Sequence, residues 1–207
     1  MNPVLVLYAT RDGHTRHIAE HAAATLRTRG LAADVVEVGQ VPAGFSVRNY
    51  AAAILAASVH MGRHERQMVE FVKTRRKELE SLPTAFLSVS LSEAGVERPS
   101  STPHVKAEGE KGVRQVLEAF FAETGWHPAR VRPIAGALLY REYGFLKRMV
   151  LRMISKRSGG DTDTSRDHEY TDWEALERFV DGIAEELQGG AAPPSIHEPS
   201  SSGARAP

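Results

Sequence analysis

The chain has 207 residues, enough for one domain with a sizeable hydrophobic core. It carries 26 basic and 26 acidic side chains, and this zero net charge argues against general nucleic-acid binding. The absence of cysteine excludes disulfides, thiolate catalysis and cysteine-ligated zinc or iron–sulfur sites. No apolar run approaches the ~20 residues that span a bilayer. Because the first apolar run starts at residue 4, we expect a cytoplasmic chain without a signal peptide.

A short apolar run near the N-terminus leads through a polar octet into a helical pattern. Residues 4–7 predict a strand that is buried on both faces. An apolar stripe from Ile18 to Leu26 predicts the helix that follows. The octet 8–15 therefore lies where unpaired backbone N–H groups and the helix dipole create an anion site.

The octet lacks the phosphate-binding motifs of ATP P-loops and of dinucleotide-binding folds. Its pattern, Thr-x-x-Gly-x-Thr, resembles the FMN phosphate loop of flavodoxins. The threonine hydroxyls can donate hydrogen bonds, Gly13 can adopt a positive φ, and Arg11 can add positive charge. The alternative is an ordinary β–α turn in which a Thr or Asp caps the helix. The candidate cofactor-binding residues of this loop are Thr10, Arg11, Asp12, Gly13, His14 and Thr15.

Four further predicted strands alternate with helical patterns along the chain. The strands are expected at 33–38, 50–57, 84–89 and 131–138, and helices at 65–82, 105–124 and 171–187. This alternation predicts an α/β domain with a flavodoxin-like five-stranded parallel sheet, order 2-1-3-4-5, and helices on both faces. Ligands in such sheets bind beyond the carboxyl ends of the strands.

Two more loops are predicted at that edge of the sheet, at 58–63 and 88–95. Together with the octet, they would surround a planar cofactor. The alternative for each residue is a loop position without a ligand. The candidate ring-facing residues are Ser58, Val59, His60, Met61 and Gly62 in one loop and Ser90, Leu91 and Ser92 in the other.

The segment 140–165 is longer than a five-stranded chain needs before its last helix. Its apolar residues between 146 and 154 form one helical stripe, and lysines and arginines occupy mostly the other faces. Such an inserted basic amphipathic helix after strand 5 can lie in a membrane interface. The alternative is a helix packed on the domain with a solvated basic rim.

The C-terminal part predicts one capped helix and a tail. Thr171 and Glu174 have the spacing of a capping box. From residue 189 onward Gly, Ala, Pro and Ser dominate, which predicts disorder. We therefore expect a domain at 1–188 with an insertion at 140–165, and a disordered tail at 189–207. The nine histidines suggest no metal site, and His14, His17 and His21 are expected on a solvated helix face.

Four stretches together resemble the menaquinone-dependent protoporphyrinogen oxidases, a family of flavodoxin-like FMN enzymes of haem synthesis. They read ATRDGHT at 9–15, ASVHMG at 57–62, IAGALLY at 134–140, and SGGDTDT at 158–164 followed by YTDW at 170–173. The resemblance extends to about residue 187 and is weakest between residues 93 and 110.

The resemblance implies oxidation of protoporphyrinogen IX to protoporphyrin IX, with electrons passed through FMN to menaquinone or another membrane quinone. It also implies a peripheral position on the inner face of the cell membrane, with the basic helix on an anionic surface. Because the flavin carries the chemistry, no catalytic side chain is expected. The alternatives are a flavodoxin-type electron carrier, whose usual acidic face is missing here, and an NAD(P)H-dependent quinone or FMN reductase. The candidate substrate or membrane residues are Tyr140, Arg141, Tyr143, Phe145, Lys147, Arg148 and Arg152.

Overall fold

A computed structural model describes residues 2–99, 101–138 and 168–189. The predicted insertion helix lies outside these residues, and so does the predicted tail beyond residue 189.

The secondary structure alternates between strands and helices, as the sequence predicts. The main sheet contains β1 (Val4–Ala9), β2 (Ala33–Glu37), β3 (Ala52–His60), β4 (Arg63–His64), β5 (Thr84–Ser90) and β6 (Arg130–Ala135). A separate ribbon pairs β7 (Ala137–Leu138) with β8 (His168–Glu169). The helices are α1 (His14–Thr28), α2 (Arg66–Leu79), α3 (Leu91–Glu97), α4 (Pro103–Thr124) and α5 (Trp173–Gly189).

The five long strands are parallel and lie in the order β2-β1-β3-β5-β6. Counted along the chain without the short β4, this is the predicted order 2-1-3-4-5. The strand predicted at the sheet edge, β2, is at the edge. The fold prediction is therefore confirmed in both topology and layer arrangement.

Two hydrophobic cores lie on opposite faces of this sheet. Alternate residues of β1 belong to each: Val4, Val6 and Tyr8 pack with residues of α1 and α5. Leu5 and Leu7 pack instead with residues of α2 and α4. All six residues of β1 are buried, because a central parallel strand is covered by helices on both sides.

The predicted loop at 58–63 is wrong, because β3 continues through His60 and returns as β4. Val59 pairs with His64 and His60 with Arg63 in an antiparallel hairpin. The two residues between them, Met61 and Gly62, have φ values of 49° and 75°. Positive φ at both positions is the geometry of a type I′ turn, which matches the twist of the two strands. We call residues 58–64 the β3–β4 hairpin.

The predicted loop at 88–95 is also wrong, because β5 runs directly into α3. The hydroxyl of Ser90 accepts a hydrogen bond from the Glu93 N–H at 3.2 Å and caps the helix. Helix α3 packs closely on α4, since a Cβ on Gly109 would lie 2.7 Å from the Ser92 carbonyl oxygen.

The predicted fifth strand at 131–138 ends early, at Ala135. Beyond it, Ala137 and Leu138 pair with Glu169 and His168 in the separate β7–β8 ribbon. The predicted capping box of the last helix is wrong as well. Asp172 Oδ1 accepts the Ala175 N–H at 2.9 Å, and the hydroxyl of Thr171 donates to the Ala135 carbonyl instead.

Asp172→Ala should therefore destabilise the protein by about 0.5–2 kcal/mol, the usual cost of losing an N-cap. Asp172→Asn keeps an accepting oxygen and should be nearly neutral. Glu174→Ala should cost less than about 0.5 kcal/mol, as surface substitutions usually do. Urea denaturation of the three variants measures this. Equal losses for Asp172→Ala and Glu174→Ala would contradict the observed cap.

Candidate functional site

The carboxyl ends of the strands bring the predicted site segments to one edge of the sheet. Ala9 of β1 pairs with Ala57 of β3, and Ser58 pairs with Val89 of β5. The loop 10–15, the β3–β4 hairpin and the start of α3 therefore leave neighbouring strands at the same level. Two of the three segments have a different local structure from the predicted loops, but all three reach the predicted edge.

The loop 10–15 has the geometry of an anion site. Gly13 has a φ of 83°, and its N–H donates to Thr10 Oγ1 at 3.0 Å. Helix α1 begins at His14, and Gly13, which precedes it, has no side chain that could cap it. The Thr10 hydroxyl accepts the Gly13 N–H just before the helix, which is part of what the alternative of a Thr-capped turn predicts. The amides of His14 and Thr15 open the helix without partners inside it. Apart from the residues next to Gly13, no atom of the described residues lies within 4 Å of where a Cβ on Gly13 would stand, which leaves room for a ligand.

Two hydroxyl groups lie beside this loop in buried positions. Thr15 is 1% exposed in the first turn of α1. Ser58 Oγ is buried at the end of β3 and has no hydrogen-bond partner in the described part of the chain. A buried hydroxyl without a partner costs free energy unless a ligand or water completes it. Ser58 Oγ is therefore able to bond a polar group of a ligand or a water molecule.

Arg11 forms an ion pair with a carboxylate. Its guanidinium donates to Glu65 Oε1 at 3.1 Å and to Oε2 at 3.3 Å. Glu65 directly precedes α2, and its own N–H donates to the Ser58 carbonyl at 3.1 Å. The ion pair thus ties the anion loop to the base of the β3–β4 hairpin. It also offsets the positive charge that the sequence suggested Arg11 would add to the loop.

His64 fixes the base of the hairpin from the other side. It is 6% exposed, and its Nε2 lies 2.9 Å from Ser88 Oγ. Its ring packs against Phe86 and Phe120, with centroid distances of 5.2 and 4.8 Å, and these two phenyl rings stack on each other. Burial lowers the pKa of His64 to about 4, so the ring is neutral at neutral pH. At the hairpin tip, by contrast, Met61 is 91% exposed.

Some of the remaining predicted ring-facing residues are buried or already hydrogen-bonded, and others are exposed. Val59 and His60 are half-buried within the hairpin strands. Ser90 is 4% exposed, and its hydroxyl is used as the α3 cap. Leu91 is 40% exposed in the first turn of α3, and Ser92 is exposed beside it. Leu91 and Ser92 are therefore the accessible members of the third segment.

His14 does not lie on the solvated face that the sequence predicts. It is 8% exposed, and burial lowers its pKa. His14 Nε2 lies 2.8 Å from Thr171 Oγ1, while His21 Nε2 lies 2.8 Å from Glu177 Oε1. Within the described ranges, no group of three or more His, Asp or Glu side chains could hold a metal ion.

Glu97 is a candidate that the sequence did not reveal. It ends α3, and its Oε1 lies 3.9 Å from Arg132 Nη2 of β6. Burial, followed by repulsion from Glu93, raises the pKa of Glu97 to about 7, and Arg132 opposes the rise only in part. Its Oε2 and the Arg132 Nε are buried without partners in the described residues. Strongly shifted carboxyl groups of this kind are frequent at functional sites.

The predicted substrate or membrane residues lie outside the described residues. These are Tyr140, Arg141, Tyr143, Phe145, Lys147, Arg148 and Arg152. In the part of the chain that the structure describes, no helix combines the length and the hydropathy needed to cross a membrane.

Comparisons with known proteins identify similar sequences over most of the chain. A family model described as a flavodoxin domain matches residues 5–165. The protoporphyrinogen IX dehydrogenase (quinone) of Escherichia coli strain K12 is 37% identical over 180 residues, covering 87% of this chain and 93% of that protein. A protein of the same name from Leishmania major is 32% identical over 181 residues, covering 87% and 74%. A solved flavodoxin from the domain Archaea matches with 13% identity and a TM-score of 0.48, covering 90% of this chain and 99% of that one.

The shifted pKa of Glu97 predicts a specific pH dependence of stability. Because this pKa lies above the ordinary 4.5, the folded protein holds a proton that the unfolded chain has released. The stabilisation is complete below about pH 4.5 and is lost as the pH rises through about 7. Glu97→Gln cannot lose this proton. Its melting temperature should therefore rise relative to wild type between about pH 5 and about pH 8. Glu108→Gln, at an exposed position of α4, is the control. A pH-independent difference for Glu97→Gln would contradict the assignment.

Proposed function

The chain belongs to the flavodoxin domain family, and we propose from this membership that it oxidises protoporphyrinogen IX to protoporphyrin IX. It binds FMN and passes the electrons to a quinone. The observation that carries this assignment is the 37% identity to a protoporphyrinogen IX dehydrogenase over 87% of the chain. That match also covers 93% of the relative.

The described residues fit FMN. The loop 10–15 offers the His14 and Thr15 amides, the helix dipole of α1 and the space beside Gly13 to a phosphate group. The Thr15 hydroxyl adds a donor in the same turn. Ser58 Oγ, which lacks a partner in the described chain, completes its hydrogen bonding with a polar group of the cofactor. The β3–β4 hairpin and the start of α3 form the two sides of the ring site, including Met61, Leu91 and Ser92.

When bound, FMN accepts a pair of electrons at a time from the substrate and delivers them to the quinone. The protein needs no nucleophile for this chemistry. Its residues bind the cofactor, orient the substrate and control access of water. The substrate is an apolar macrocycle with propionate groups, and arginine is well suited to bind carboxylates in a bidentate manner.

The segment 140–152 supplies the proposed contacts to substrate and membrane. Its basic side chains would bind propionates and an anionic lipid surface, and its aromatic side chains would pack on the macrocycle. Menaquinone in the cell membrane is the proposed acceptor, and the protein would act peripherally from the cytoplasmic side. The residues are Tyr140, Arg141, Tyr143, Phe145, Lys147, Arg148 and Arg152.

Thr15→Val should weaken FMN binding roughly tenfold or more, because a hydrogen bond to a charged group contributes about 1.5–3 kcal/mol. The substitution keeps the volume of the side chain and removes only the hydroxyl. Thr25→Val is a matched control, since Thr25 is also buried in α1 but its hydroxyl donates to the His21 carbonyl. Fluorescence titration of FMN with apoprotein measures the dissociation constants. Equal affinities for the two variants would remove Thr15 from the site.

The proposed activity is tested by incubating the FMN-loaded protein with protoporphyrinogen IX under anaerobic conditions. Anionic vesicles containing a menaquinone analogue supply the acceptor, and porphyrin fluorescence reports the product. We expect porphyrin formation that requires both FMN and quinone and falls as salt weakens binding to the vesicles. Vesicles without quinone are the control. Quinone reduction that requires NAD(P)H, with no porphyrin formed, would indicate a reductase instead.

A further inference from the structure

Three residues that are far apart in the sequence form one chain of hydrogen bonds. Thr171 Oγ1 donates to the Ala135 carbonyl oxygen at 2.8 Å. His14 Nε2 lies 2.8 Å from the same Thr171 oxygen. A hydroxyl has one hydrogen, and the carbonyl of Ala135 can only accept it. His14 must therefore be the donor, with its proton on Nε2.

The surroundings of His14 favour the neutral form of its ring. His14 is 8% exposed, and burial lowers its pKa, opposed by Glu169 and supported by His17. Its ring lies 6.2 Å from the ring of Trp173, in an edge-on arrangement. The imidazole is thus held in place by packing, and its donated hydrogen bond has a fixed direction.

The three residues lie in different elements of the fold. Ala135 is the last residue of β6, and Thr171 follows β8 by two positions. The bond between them closes the base of the β7–β8 ribbon, which has only two residue pairs, Ala137 with Glu169 and Leu138 with His168. So short an antiparallel pair is not stable by itself and depends on anchors of this kind.

His14 connects this ribbon base to the anion loop. Its backbone amide is one of the free N–H groups at the start of α1, and its side chain bonds to Thr171. An anion bound to this amide therefore adds to the packing that holds the imidazole against the ribbon base. The same residue serves both sites through different groups.

We propose that His14 and Thr171 are positioning residues that couple phosphate occupancy of the 10–15 loop to the stability of the β7–β8 ribbon. The inference rests on the proposed function in one respect, which is that FMN is the ligand of the loop. The ribbon leads into and out of residues 139–167, where the proposed substrate contacts lie. Bound FMN thereby stabilises the pairing of Ala137 with Glu169 and of Leu138 with His168.

Coupling between two sites is reciprocal. The Thr171 hydrogen bond must therefore strengthen FMN binding by the same factor by which bound FMN favours the paired ribbon. Thr171→Val removes the hydroxyl at nearly constant volume. It should weaken FMN binding roughly three- to tenfold, the range expected for one neutral hydrogen bond. Thr171→Ser keeps the hydroxyl and should restore the affinity to within roughly twofold of wild type.

Hydrogen exchange measured by mass spectrometry gives the decisive readout. In wild type and Thr171→Ser, FMN should slow amide exchange in the peptides that contain residues 137–138 and 168–169. In Thr171→Val, exchange there should be faster without FMN and should change little when FMN is added. Thr124→Val is the control for a purely structural loss, because the buried Thr124 hydroxyl donates to the Phe120 carbonyl at 2.8 Å on the distant helix α4. It should lower the melting temperature without changing FMN affinity or ribbon protection.

The outcomes separate the two proposals. If wild-type protein binds FMN but the ribbon peptides are protected equally in Thr171→Val, the coupling is wrong and the proposed function stands. If wild-type protein binds no FMN, both the proposed cofactor and the coupling fall. If Thr171→Ser behaves as Thr171→Val, the hydroxyl is not the connecting group and the coupling is also wrong.

Discussion

The structure depends on one constraint, which is that the central strands are covered on both faces. All six residues of β1 are buried, and so are all seven of β5. The interior of such a sheet has almost no room for unpaired polar side chains, because each would lose its water without gaining a partner. Polar side chains that could bind a ligand therefore lie at the ends of the strands. At the carboxyl edge, helix N-termini also present free amides, so this edge is where an anionic ligand can bind.

Three rigid connections shape that edge. The type I′ turn at Met61 and Gly62 returns the chain after β3, and the buried His64 anchors the returning strand to Ser88. The Arg11–Glu65 ion pair then joins the hairpin to the anion loop. On the other side, the Ser90 cap starts α3 without an intervening loop. The hairpin and the α3 side of this edge are thus built on strands and a cap, which hold side chains more precisely than mobile loops do.

The sequence predicted the sheet, its order and its site edge, because these follow from local hydrophobic periodicity. The start of α3 was also predictable, because Ser90 and Glu93 have the spacing of a capping box, although a loop was predicted there. The turn at Met61 was harder, because methionine rarely adopts a positive φ. The contacts of His14 with Thr171 and of Arg11 with Glu65 join residues 157 and 54 positions apart. No local pattern encodes such pairs, and the same is true of Glu97 beside Arg132.

The distribution of unsatisfied polar atoms supports the location of the site independently of any motif. Among the described residues, the buried side-chain atoms without partners belong to Ser58, His64, Glu97, Arg132 and Trp126. Ser58, His64 and Glu97 lie on the carboxyl side of the sheet, and Arg132 reaches Glu97 there. Each such atom costs about 1–3 kcal/mol if nothing completes it. A fold selected for stability alone would remove them, so their concentration near one edge supports the proposal that this edge binds the cofactor.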